Sequence, residues 1–129
     1  MNRRQAERGV TLVELAITLG VLVLLASLVT LGVKPYYAYR DGRAAGEALR
    51  TVKAAMQLYL ADNPSAQVSS LTPALLAPYL PGGNMPTLPS VNGTTPTIRV
   101  TSFPPVAILN GNPYDPSPST TDGLWDAGP

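Results

Sequence analysis

Cysteine and histidine are both absent from the 129-residue chain. The first absence excludes disulfides, thiol nucleophiles and lipid attachment through sulfur; the second removes the commonest general base and the commonest metal ligand. Charge is also scarce. Nine Lys and Arg against eight Asp and Glu leave a net charge of +1, so no field of one sign gathers nucleic acid or spreads the chain over an acidic lipid surface. Catalysis from this inventory needs a carboxylate pair or an activated hydroxyl, and neither stands in a recognisable setting. The chain is not expected to be an enzyme.

Apolar residues and prolines are plentiful, and they are segregated. Residues 15–33 form a run of nineteen without a charge, rich in Leu and Val. At ~1.5 Å per residue the run reaches about 28 Å, enough for a hydrocarbon core of about 30 Å. It is longer than the apolar region of an ordinary secretory signal, so a single membrane-spanning helix is expected. Arg3, Arg4 and Arg8 precede it and favour an N-terminus left in the cytoplasm; Lys34, Arg40 and Arg43 beyond it weaken that bias without reversing it. Tyr36, Tyr37 and Tyr39 stand where tyrosines anchor a helix at the membrane surface.

Past Pro35 the apolar residues Ala45, Ala48, Leu49, Val52, Met56, Tyr59 and Leu60 recur at steps of three and four. That spacing continues the helix as an amphipathic segment to about residue 61, with Asn63 and Pro64 ending it. Gly32, Pro35, Gly42 and Gly46 are the expected points of bending. Thirteen of the fourteen prolines follow, so long regular elements are excluded there. Thr72 and Pro73 suggest a short capped helix to about Ala77, closed by Pro78. Residues 97–101 and 106–109 are the strand candidates, and residues 110–129 are expected to be irregular. The expected fold class is α+β: a long N-terminal helix, apolar then amphipathic, carrying a small antiparallel sheet and Pro-rich loops. The expected divisions are a leader at 1–9, a spanning helix at 10–33 and an outer region at 34–129.

The string Gly9-Val10-Thr11-Leu12-Val13-Glu14-Leu15 joins the basic leader to the apolar run. Thr11 and Glu14 have the spacing of a capping box, in which hydroxyl and carboxylate satisfy free backbone donors at a helix start. The order of basic leader, Gly, Thr-Leu-x-Glu and apolar span resembles the type IV prepilin and type II secretion pseudopilin family. The resemblance covers residues 1–33. It implies a pilin-like fold, cleavage between Gly9 and Val10 by a prepilin peptidase, and methylation of the new amino terminus on Val10. It further implies assembly through Thr11 and Glu14, the carboxylate engaging the amino group of a neighbouring subunit. The partners would be like subunits, an inner-membrane assembly platform and the lipid bilayer, with no nucleic acid. The place would be the bacterial inner membrane and then a periplasmic or cell-surface filament.

Beyond residue 33 the likeness is thinner. Residues 54–63 are similar to the end of the long helix in small pilins and pseudopilins, and Leu80-Pro81 to the loop that follows. Three departures stand out: Val10 replaces the usual Phe, the first proline is displaced to Pro35, and the cysteine pair of many major pilins is missing. Asp115, Asp122 and Asp126 are calcium candidates, because a comparable loop of major pseudopilins holds that ion. Their spacing matches no twelve-residue calcium loop, and Asn, Asp, Gly and Ser also make up solvated turns; no metal or other cofactor is otherwise expected. The alternative to a filament subunit is an uncleaved signal anchor with a Pro-rich, partner-binding outer region, in which Thr11 and Glu14 only cap the helix.

Overall fold

A computed structural model of the protein describes residues 9–129. The chain divides into two compact units, one reaching to Tyr36 and the other from Tyr37 to Pro129. Helix α1, Leu12–Asp62, contributes to both. Pro35 lies inside it without ending it. The C-terminus of α1 falls at the residue expected from Pro64, and both the backbone and the side-chain amides of Asn63 donate to the Tyr59 carbonyl.

In the second unit α1 buries Gly42, Ala45, Gly46, Leu49, Val52, Ala55 and Met56. Steps of three and four place them on one face, as the pattern of apolar residues predicted. Two core clusters form on that face. Val52, Ala55 and Met56 pack with Leu71, Leu76, Leu80 and Val100. Ala45 and Leu49 pack with Leu88, Ala107, Trp125 and Ala127. Leu49, Val52, Met56, Leu71 and Leu76 are fully buried, and each contributes about 1.5 to 3 kcal/mol by leaving water.

The sheet is antiparallel with strand order β1-β2-β3: β1 is Thr97–Arg99, β2 is Val106–Leu109 and β3 is Asn112–Pro113. Ile98 pairs with Ala107 and Leu109 with Asn112. Strand β1 is shorter than expected, and β3 lies in a tail read as irregular. Its turn is Asn110-Gly111, with φ of 51° and 84°. Two successive positive φ values are what a two-residue hairpin turn requires, and Asn-Gly supplies them at least cost. Asn92-Gly93 repeats the device between Val91 and Thr94.

Two smaller expectations are corrected. The short helix α2, Pro73–Leu76, forms, but the Thr72 side chain makes no capping bond; its carbonyl accepts from the Leu75 amide instead. Pro78 does not stop the chain turning, because residues 77–79 continue as a 3-10 turn. That turn sets Tyr79 against the end of α1, where its hydroxyl donates to Asp62 at 2.7 Å and its ring meets Tyr59 edge-on. The bond to Asp62 holds the Tyr79 phenol above its ordinary pKa.

The larger correction concerns Gly42, Gly46 and the tail. Neither glycine interrupts the helix; both admit a close neighbour. The segment from Gly123 to Gly128 lies against α1 with all but Leu124 buried. A Cβ on Gly46 would stand 2.8 Å from the Gly123 carbonyl carbon and 3.2 Å from the Asp126 carbonyl oxygen. Gly42 accepts a 3.0 Å bond at its carbonyl from the Trp125 amide.

A fragment from Tyr37 onward is expected to fold alone, with a dispersed amide proton spectrum. In that fragment Gly46→Ala should lower stability by about 1 to 3 kcal/mol in denaturant melts, since backbone stands where the methyl would go. Alanine is the better helix former by about 1 kcal/mol, so an unopposed substitution would stabilise. Unchanged or increased stability would show that the tail does not pack on α1.

Candidate functional site

The leader with Arg3, Arg4 and Arg8 lies outside the described residues, apart from Gly9. Gly9, Val10 and Thr11 are described; they precede the helix, carry no regular structure and are exposed. Among the described residues nothing stands within 4 Å of a Cβ built on Gly9. Gly9 and Val10 are both exposed and lie outside any regular structure.

Thr11 and Glu14 form the reciprocal capping box. The Glu14 amide donates to Thr11 Oγ1 at 3.2 Å, and the Thr11 amide donates to Glu14 Oε2 at 3.4 Å. The second bond is long for N–H···O, so the carboxylate is weakly held. Both residues are exposed, and Glu14 is the acidic residue of the first turn, where the positive end of the helix dipole favours it.

From Leu12 to Val33 no side chain of α1 is buried within the chain. The helix is long and apolar enough to cross a membrane. Its three hydroxyl groups are each turned back on the backbone: Thr18 to the Glu14 carbonyl, Ser27 to Val23 and Thr30 to Ser27. An inward-turned hydroxyl presents no unsatisfied donor to a surrounding apolar medium. At the far end Tyr36, Tyr37 and Tyr39 are exposed, and the Arg40 guanidinium lies 4.9 Å from the centre of the Tyr37 ring.

The three calcium candidates are not brought together. Asp115 accepts from the Ser117 amide and hydroxyl, and Asp122 from the Leu124 amide. Asp126 is turned inward, where it accepts from the amides of Gly123 and Gly128. Among the described residues no group of three or more His, Cys, Asp or Glu is placed to hold a metal ion. Asp126 thus has a structural task that spacing did not reveal: it folds residues 123–128 into a loop in which Gly123, Trp125 and Gly128 all have positive φ. The sequence does carry a trace of this loop, an apolar Leu124-Trp125 pair in a polar tail holding the one Trp of the chain.

No family model, curated protein or solved structure matches the chain.

In the fragment from Tyr37, Asp126→Ala should cost about 2 kcal/mol or more, because two buried amides lose their acceptor, while Asp126→Asn should cost less. Millimolar calcium should leave the melting curve of the unaltered fragment in place. A rise in melting temperature would show that the folded loop takes the ion.

Proposed function

We propose that the chain is a structural subunit of a filament of the type IV pilus or pseudopilus kind, made as an inner-membrane precursor with its N-terminus in the cytoplasm and cut after Gly9. The observation that carries this is the stretch of α1 from residue 15 to 33, uncharged and exposed on every side, with the Glu14 carboxylate just before it and an exposed Gly9-Val10 pair ahead of the helix. A helix of that surface needs an apolar surrounding. Lipid supplies one, and a bundle of like helices supplies another.

Cleavage changes which surrounding is preferred. It removes Arg3, Arg4 and Arg8 and frees an α-amino group on Val10. Glu14 near lipid then has a cation to pair with on the next subunit, and the pairing fixes how far one helix slides along its neighbour. The competing use of Glu14 is the capping bond, whose loss costs about 0.5 to 2 kcal/mol. Breaking a buried ion pair costs about 3 to 5 kcal/mol, so in an apolar bundle the ammonium wins the carboxylate from the cap. Filament formation by this route serves secretion, DNA uptake, adhesion or motility in systems of the kind, and the chemistry of the helix is common to all of them.

The formed capping box also favours a second account, the uncleaved signal anchor, in which Glu14 has no other work. The two are separated by recovering the protein from membranes and by the variant Glu14→Leu. A cleaved protein should begin at Val10 and carry one added methyl group by intact mass. Glu14→Leu should insert and be cut as the unaltered protein is, yet yield few or no sheared filaments. Recovery of the full-length chain as the stable product, or full filament yield from the variant, would favour the anchor.

A further inference from the structure

Within the unit from Tyr37 onward, α1, the Asn92-Gly93 turn and the C-terminal loop enclose an open groove of about 500 Å3. Tyr39, Val91, Tyr114, Leu124 and Trp125 wall it, and Asp41 is the one charged side chain among its lining residues. The wall is firm at Trp125, which is 6 % exposed and meets the Tyr114 ring edge-on at 4.8 Å. Among the described residues the ion-pair partner of Asp41 is its neighbour Arg40, across 3.4 Å at an exposed site, and such a contact exchanges readily.

The same unit carries a side chain of the shape and charge setting that this groove lacks. Phe103, the only phenylalanine of the chain, stands 45 % exposed in the loop between β1 and β2 and does not line the groove. Four residues before it Arg99, exposed on β1, is the only Lys or Arg after Asn63. An exposed aromatic ring four residues from an exposed cation is complementary in kind to an aromatic groove lined by one carboxylate.

We propose that Phe103 of one copy of the chain seats in the groove of a second copy, with Arg99 of the first facing Asp41 of the second. The occupant is assigned to a second copy because the chain itself holds both complementary halves at separate places on one unit. A contact between two different patches leaves a free knob at one end and a free groove at the other, so it propagates instead of closing as a dimer. The proposal rests on the filament assignment for the setting that holds copies side by side, and it adds a contact between outer units to the one between helices.

The absence of native cysteine makes the test direct. The full chain, in its own membranes, would keep Phe103 and carry Thr101→Cys, exposed two residues before it, together with Asn92→Cys at the groove border, and be oxidised mildly. The expected result is a ladder of dimers, trimers and larger multiples on non-reducing gels, absent from either single variant and abolished by reductant. Arg99→Asp or Asp41→Arg placed in the double-cysteine chain should lower the ladder roughly twofold to fivefold, and the two reversals together should restore it. Absence of a ladder overturns the proposal, as does dimer from Thr101→Cys alone, which would mean knob against knob. A band whose mass is no multiple of the chain also overturns it, because the groove would then hold a different protein. Sheared filaments are measured beside the gels. Filaments without a ladder reject the groove contact and leave the filament assignment standing; a ladder without filaments upholds the contact and rejects that assignment.

Discussion

Residues 123–128 approach α1 more closely than side chains permit, and the second unit depends on that approach. Gly42 and Gly46 are one helical turn apart on the same face; Gly46 makes room for the tail backbone, while Gly42 stands against the side chains of Leu124 and Trp125. One turn further on, the Arg50 guanidinium lies over Gly123 and Gly128. The tail answers with left-handed backbone at Gly123, Trp125 and Gly128 and with a carboxylate on Asp126 that gathers the amides of Gly123 and Gly128. Trp125 accepts a conformation that costs a residue with a side chain about 1 to 2 kcal/mol. Its amide bond to Gly42 and the burial of its ring offset that cost. Chain connectivity alone would leave the tail free, and a Cys-free chain has no covalent way to bind it.

The parts of the fold carried by periodicity were legible in the sequence. The apolar run and the stripe from Ala45 to Met56 follow from spacing, which survives into structure because it decides which face is buried; the stop before Pro64 and strand β2 follow from residue type. What escaped depended on single residues used for shape. Gly42 and Gly46 were read as loose points in a helix, although the same lack of a side chain serves close packing, and only the partner decides between the two. The Asn110-Gly111 turn was readable by a known rule, but β3 is two residues long and one is proline, so no strand pattern pointed to it. The three aspartates looked alike in composition; burial separates Asp126 from the other two, and burial is a property of the fold.

At the N-terminal end sequence and structure speak to different things. The motif suggests a use for Gly9, Val10 and Glu14, while the geometry adds that Gly9 and Val10 are exposed, that the carboxylate is loosely engaged and that every hydroxyl in the run is satisfied locally. A helix that keeps its own polar groups occupied is indifferent to whether lipid or another helix surrounds it. Two environments of similar polarity then differ mainly by what they offer the carboxylate, and on the proposed reading a small chemical change at the amino end chooses between them.

The tail that completes the core lies about eighty residues after the helix face it covers. A chain made from its amino end exposes Gly42, Ala45 and Leu49 long before Trp125 and Ala127 exist, and the cluster they share stays open throughout. Contacts of such sequence separation come late and slowly in folding. In the proposed topology the outer unit crosses the membrane, and a cluster that has not yet closed leaves that chain free to be threaded.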